Sequence, residues 1–292
     1  MAISASMVAQ LRARTGAGMM ECKKALVEAN GDMDAAAENL RMSGQAKADK
    51  KAGRVAADGR IVIRQGNSRS VIVEINSETD FVAKDDNFVG FAEAVADAAL
   101  ASGNADVTAF ANVRLADGRT VEAARTELVA KVGENISVRR IAEVANQGPI
   151  GAYTHQGDKI GAIVAIEGGD EALARDIAMH VAAINPACID ESGVPAATIE
   201  TERRIFAEQA AASGKPADIV DKMVQGRVQK FLKEITLVGQ PFVKDDKTTV
   251  GQLLKQNGAR VAAFVRFEVG EGIAKKEDNF VEEVMAQVKG AR

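Results

Sequence analysis

The sequence predicts an α+β fold, and three observations lead to that class. The first stretch, up to about residue 45, carries apolar residues at helical spacing, punctuated by glycine turns. Two later stretches each run in the order hairpin, helix, third strand. The second of these is interrupted by two charge-rich helical segments. One order used twice predicts an internal duplication, each copy a three-stranded antiparallel sheet with helices on one face.

The helical stretch divides into three. Ser4 or Ser6 can cap a first helix in which Met7, Val8 and Leu11 share a face. Thr15-Gly16-Ala17-Gly18 breaks it. A second helix runs from about Glu21 to Ala29 and stops at Asn30-Gly31. Asp32 can cap a third, which is expected to reach about Met42 and end at Ser43-Gly44. A unit of this size is near the lower limit for independent stability, so it should dock on the rest of the chain or on a partner. Residues 46–57, with Lys47, Lys50, Lys51 and Arg54 among alanines, read as an exposed basic linker.

The pattern then changes period. Arg60-Ile61-Val62-Ile63-Arg64 and Val71-Ile72-Val73-Glu74-Ile75 flank a turn at Gln65-Gly66-Asn67-Ser68 and predict a hairpin. Helices are expected over about 87–100 and 121–131, and a third strand over 136–144. The stretch 101–120 reads as loop. The second copy begins with strands at 151–154 and 160–166 around Gln156-Gly157-Asp158. Asp170 can cap a helix that ends before Asn185-Pro186, and the third strand comes at 261–269. The insertion comprises helices at 198–213 and 217–234, joined by Gly214-Lys215-Pro216 and hence expected to be antiparallel. A last helix is expected over about 278–288. The predicted units are therefore 1–45, the linker 46–57, core subdomains 58–147 and 148–269 with the hairpin 198–234, and a helical module 270–292.

Composition narrows the function. The 292-residue chain has 47% hydrophobic residues but only 4% aromatic ones, so its cores must be aliphatic. A net charge of -4 argues against nonspecific nucleic-acid binding, which needs a basic excess. The two cysteines, Cys22 and Cys188, suit free thiols in a reducing compartment. No leader pattern and no apolar run long enough to span a bilayer is visible, so a cytoplasmic protein without membrane contact is expected.

No bond-making chemistry is visible. There is no phosphate loop, and Gly16-Ala17-Gly18 follows a helix rather than a strand, with Glu21 at the third glycine position of a dinucleotide motif. Two histidines, His155 in a hairpin turn and His180 on a half-buried helix, make no metal site, and His180 reads as structural. No catalytic residue, metal ligand or cofactor is expected. One segment resists a packing explanation: Ser77-Glu78-Thr79-Asp80-Phe81-Val82-Ala83-Lys84 follows a hydrophobic strand and mixes acids with a scarce aromatic. Two readings remain open on physical grounds. Thr79 or Asp80 could cap a short turn with Phe81 and Val82 in the core, or Phe81 could stand out as a wedge beside the charge of Asp80.

Here the chain resembles the elongation factor Ts family. Glu74-Ile75-Asn76-Ser77-Glu78-Thr79-Asp80-Phe81-Val82-Ala83-Lys84 is similar to its Thr-Asp-Phe-Val signature, and Leu11 through Leu26 to its N-terminal signature. Further matches are Gly133-Glu134-Asn135-Ile136 with Arg139-Arg140, Gly239-Gln240-Pro241-Phe242, and Arg266 through Gly272. They occur in family order over essentially the whole chain. The resemblance implies an N-terminal three-helix domain of the ubiquitin-associated type, a core of two related subdomains, an antiparallel helical hairpin and a C-terminal helical module. It implies a guanine nucleotide exchange factor for the GTPase elongation factor Tu that disturbs the Mg²⁺ and phosphate end of the nucleotide site. Thr79, Asp80, Phe81 and Val82 are implied to act there, with Phe81 as wedge. Leu11, Met19, Met20 and His155 are implied as further contacts. The hairpin 198–234 could make a homodimer contact or simply project. The rival classes are a small-molecule enzyme on a duplicated core, for which no convergent polar site is visible, and an RNA-binding translation protein, which the acidic balance disfavours.

Overall fold

Ser4 starts the first helix by accepting the Met7 N–H at 3.2 Å, and Gly16 ends it with a φ of 68°. In this computed structural model, which describes residues 3–212 and 216–274, three helices follow one another: α1 (Ala5–Thr15), α2 (Met19–Glu28) and α3 (Met33–Lys51). Asp32 caps α3 by accepting from Asp34 and Ala35. Val8, Leu11, Cys22, Ala25, Leu26 and Ala36 form a small separate core.

The first sheet contains β1 (Asp58–Gln65), β2 (Arg69–Ser77) and β3 (Ser137–Ala145), antiparallel with β2 in the middle. Between β2 and β3 come α4 (Asp80–Ala83), α5 (Asp86–Ser102), α6 (Val107–Phe110) and α7 (Val121–Val132). The second sheet contains β4 (Ile150–His155), β5 (Ile160–Glu167) and, much later, β8 (Arg260–Glu268), with β5 in the middle. Between β5 and β8 come α8 (Glu171–Ile184), α9 (Ala196–Ala211), α10 (Ala217–Ile235), the short hairpin β6 (Pro241–Phe242) and β7 (Asp245–Thr249), and α11 (Val250–Gln256). The two sheets thus share one strand order. Each also carries a register shift between its middle and last strands, at Glu74/Ile75 and at Ala165/Ile166.

The middle strands are buried on both faces, and alternation assigns each face. On β2, Val71, Val73 and Ile75 meet α5 and α7, while Ile72 turns the other way. On β5, Ala162, Val164 and Ile166 meet α8, while Ile163 and Ala165 turn away. Ile61, Ile72 and Val144 of the first sheet pack there against Ile163, Ala165 and Phe267 of the second. The layers run helix, sheet, sheet, helix. Gly161 permits the close approach, since a Cβ at that position would lie 2.5 Å from Ile61 Cγ2.

Several expectations change. The third helix does not stop at Ser43-Gly44 but continues to Lys51, taking in half of the expected linker. Gly44 is buried where α3 crosses α7, and a Cβ there would make only an ordinary 3.5 Å contact with the Ala130 methyl, so this glycine does not terminate the helix. Two of the helix's lysines are engaged: Lys47 pairs with Glu21, and Lys51 donates to the Gly133 carbonyl. The stretch 101–120 contains α6, whose Phe110 is wholly buried. The hairpin β6–β7 and helix α11 add elements that the sequence pattern does not predict. α9 and α10 pack on each other around Ala210, Val224, Val228 and Leu232. The last residue of the expected helix 198–213, the expected turn residues Gly214 and Lys215 and the expected helix 278–288 lie outside the described residues, while Pro216 precedes α10. Among the described residues, no helix is long and apolar enough to cross a membrane.

Candidate partner-binding site

At the end of β2 the chain leaves a buried strand and must turn without losing its hydrogen bonds. Two neighbouring pairs of residues exchange bonds to achieve this. Glu134 Oε2 accepts the N–H groups of Glu78 at 3.1 Å and Thr79 at 3.0 Å, and its Oε1 accepts the Thr79 hydroxyl at 2.7 Å. In return Glu78 Oε1 accepts the Asn135 N–H at 2.6 Å. The turn of chain carrying Glu134 follows Gly133, which ends α7 in the left-handed region at φ 84°. Asn135 Nδ2 donates to the Arg54 carbonyl at 2.8 Å, joining the clamp to the chain just beyond α3.

Thr79 then caps the single turn α4, its Oγ1 accepting the Val82 N–H at 3.3 Å. A turn this short cannot bury all of its faces. Ala83 is buried and Val82 packs against the first core, while Phe81 is 81% exposed. The cap and the packing of Val82 follow the first of the two open readings, whereas Phe81 is not in the core but stands exposed. Leaving a phenylalanine in water forgoes about 2 kcal/mol of burial free energy, which only an apolar partner surface would recover. Beside it, Asp80 pairs with Lys84 at 2.7 Å. The Lys84 ammonium, helped at longer range by Lys159, holds the Asp80 carboxyl below the usual carboxylate range, and Asp80 raises Lys84 in turn.

A second exposed feature stands at the same end of the molecule. Lys159, in the β4–β5 turn, is bonded to Asp58 and donates to the Gly59 carbonyl at 3.0 Å. Asp58 is the register partner of Ser77, so the turn docks beside the strand end from which the tip springs. His155 closes β4 and is exposed there, with its ring stacked on Tyr153 at 6.0 Å and its Nδ1 3.3 Å from the Tyr153 hydroxyl.

Met19 and Met20 open α2 and are 55% and 75% exposed, on the three-helix unit. Leu11 differs from the two methionines: it is fully buried in the core of that unit, where its side chain holds α1 against α2 and α3. His180 is likewise occupied, with Nδ1 accepting the Val243 N–H at 3.2 Å and Nε2 donating to Gln240 Oε1 at 3.0 Å.

Sequence reading assigned no role to Glu74, although a charge inside an apolar strand was a visible signal. Its side chain is completely buried and accepts from Arg139, Arg140, Asn76 and the Gly270 N–H. Consecutive strand residues face opposite ways, so two adjacent arginines cannot ordinarily reach one group. The register shift at Glu74/Ile75 removes that obstacle, because Arg139 is the extra residue of a bulge. Arg140 also stacks over the Phe267 ring at 4.1 Å. Glu134 too carried no assigned role, and nothing in its local sequence marks it as the tip's support. Segments around 74–82, 133–140 and 266–271, remote in sequence, thereby converge on one wall.

Comparisons with known proteins place the chain among relatives. The family model described as Elongation factor TS matches residues 78–271. The chain is similar over its full length to the elongation factor Ts of Thioalkalivibrio sulfidiphilus (strain HL-EbGR7), at 59% identity with all of both chains covered. It is 58% identical to that of Legionella pneumophila (strain Paris), with 98% of this chain and 99% of the relative covered. It is 54% identical to that of Idiomarina loihiensis, covering 100% and 99%.

Proposed function

The chain belongs to the elongation factor Ts family, and from that premise we propose that it drives guanine nucleotide exchange on elongation factor Tu through the Asp80–Phe81 tip. Its role is in translation elongation, and no bond is made or broken by it. The reading rests on linkage. A protein that binds nucleotide-free Tu more tightly than GDP-bound Tu must weaken GDP binding by the same factor. It binds the GDP-bound GTPase, promotes GDP release and is displaced after GTP enters.

The observation that carries this reading is the contrast within one helical turn. The Thr79 backbone and hydroxyl are held by Glu134, Val82 is packed inward, and Phe81 projects with 81% of its surface exposed. A held base with an apolar end suits insertion between partner helices. Asp80 brings a negative charge to the Mg²⁺ and phosphate end of the nucleotide site, where the metal is a large local charge. Thr79 and Val82 support the tip. Met19 and Met20 supply a flexible apolar grip on a partner helix, a use to which methionine is suited. His155 meets a β-domain of Tu.

Stopped-flow release of a fluorescent GDP from Tu tests the proposal. Asp80→Ala and Phe81→Ala should each slow stimulated release at saturating factor while the variants stay folded. Release rates equal to wild type in both would overturn the tip mechanism.

A further inference from the structure

We propose that Glu134 is a positioning residue for exchange: it sets the Asp80–Phe81 tip without touching the partner. This rests on the tip reading above and deepens it. Glu134 is the only side chain among the described residues that bonds both backbone N–H groups between β2 and α4, at 3.1 and 3.0 Å. Both donors would otherwise face the turn unpaired, and a carboxylate satisfies them with charge-assisted bonds.

The third bond matters most. The Thr79 hydroxyl donates to Glu134 Oε1 at 2.7 Å and accepts from the Val82 N–H at 3.3 Å. A hydroxyl has one hydrogen. With that hydrogen committed to Glu134, a lone pair of Oγ1 is left to face the first turn of α4. The carboxylate therefore sets the cap, the cap sets the turn, and the turn aims Phe81 outward while Val82 stays in the core. Glu134 itself follows the left-handed Gly133, whose carbonyl is held by Lys51. Asn135 beside it is tied to Glu78 and to the Ala52 and Arg54 carbonyls. The support stands on helix end and strand start, not on a free loop.

The consequence for exchange is specific. Docking can use surfaces on the three-helix unit and at the β4–β5 turn, which do not depend on Glu134. Insertion of Phe81 into the partner does depend on it, because a tip that wanders is competent only for a fraction of the time. Loss of Glu134 should therefore lower the maximal rate of stimulated release and leave the half-saturating concentration nearly unchanged.

The test uses the full chain and Tu loaded with fluorescent GDP, titrating the factor and fitting maximal rate and half-saturation separately. Glu134→Ala should lower the maximal rate by about tenfold and shift half-saturation by less than about twofold. Glu134→Gln keeps one acceptor and should fall between Ala and wild type. Thr79→Val removes the hydroxyl that Glu134 holds and should show the same split, which keeps the test decisive if Glu134→Ala does not fold. Phe81→Ala runs in parallel. If it slows release while folded Glu134 and Thr79 variants keep the wild-type maximal rate, the inference is wrong and the tip reading stands. A rise in half-saturation at constant maximal rate would also overturn it, making Glu134 a docking residue. If Phe81→Ala behaves as wild type, the tip reading fails and the inference fails with it.

Discussion

The Glu74 carboxylate accepts the backbone N–H of Gly270 at 2.8 Å, across a sequence separation of 196 residues. This bond joins the middle strand of the first sheet to the chain leaving the second. Gly270 can enter because it lacks a side chain: its φ is 74°, and a Cβ there would lie 2.3 Å from the Ala57 carbonyl. Arg139 and Arg140 complete the cluster from the bulged strand.

Glu74→Gln should destabilise the protein by on the order of 2–4 kcal/mol, because an amide presents a donor where two guanidinium groups and an N–H need an acceptor. Urea unfolding checks this, as a lower midpoint with an unchanged slope.

The same cluster sets an acid limb. Burial pushes the Glu74 carboxyl up, but the bonds from Gly270, Asn76, Arg139 and Arg140 together outweigh it and hold the group below its ordinary 4.5. A carboxylate depressed in the fold contributes stability above its unfolded pKa and loses it as pH falls through the folded value. The stability of the wild type should therefore fall on acidification below about pH 4.5, and the Glu74→Gln curve should be flatter over that range.

His180 gives a second pH dependence. Burial chiefly lowers its pKa, with the bond to Gln240 opposing in part. The neutral ring accepts from Val243, a role that protonated Nδ1 cannot fill. Its contribution is complete above the unfolded value of about 6.5 and declines as pH falls through the depressed folded value. Denaturant midpoints measured downward from pH 7.5 should fall for this reason, and His180→Phe should remove that part of the slope. The same variant should lower stability at pH 7.5 by about 2–4 kcal/mol, since it leaves the Val243 N–H and Gln240 Oε1 unpaired.

Gly44 is open to a simple substitution test. A methyl there would make an ordinary contact of 3.5 Å with Ala130, and φ is not in the left-handed region. Gly44→Ala should stabilise α3 by about 0.5–1 kcal/mol through helix propensity. Gly44→Leu should instead push α3 off α7 and cost about 1–3 kcal/mol by overpacking. Thermal unfolding of the two variants separates a helix-interior glycine facing α7 from a helix terminator, which would resist both changes alike.

Most of the fold was legible because its long elements keep a clear period. The caps at Ser4, Asp32 and Asp170 and the stops at Gly16 and Asn185 are all used as their residue types suggest. What escaped were elements too short to show a period, such as α6, α11 and β6, and the true end of α3. Gly44 reads as a stop in sequence, but its backbone is not left-handed and α3 packs on α7 beyond it, so the helix runs on. The tip was legible by its composition but not by its direction. Whether Phe81 faces in or out depends on a hydrogen bond from Thr79 to Glu134, 55 residues away, and no local pattern encodes that bond. The adjacent arginines 139 and 140 look like alternate faces of a strand until the bulge is seen.

Phe81 and Val82 are neighbours in one turn, yet truncating them should have opposite consequences. Phe81 is exposed, so Phe81→Ala should change the unfolding free energy by less than about 0.5 kcal/mol. Val82 packs against the core that contains Phe88 and Ile75, so Val82→Ala should cost about 1 kcal/mol. Exchange should rank them the other way. Phe81→Ala loses the apolar end and should slow GDP release from Tu strongly, while Val82→Ala keeps that end and should act only as far as it loosens the turn. Pairing urea unfolding with stopped-flow release on the same two variants resolves the two effects. If stability loss and exchange loss track each other across the pair, the tip acts through the fold of the protein and not through contact with the partner.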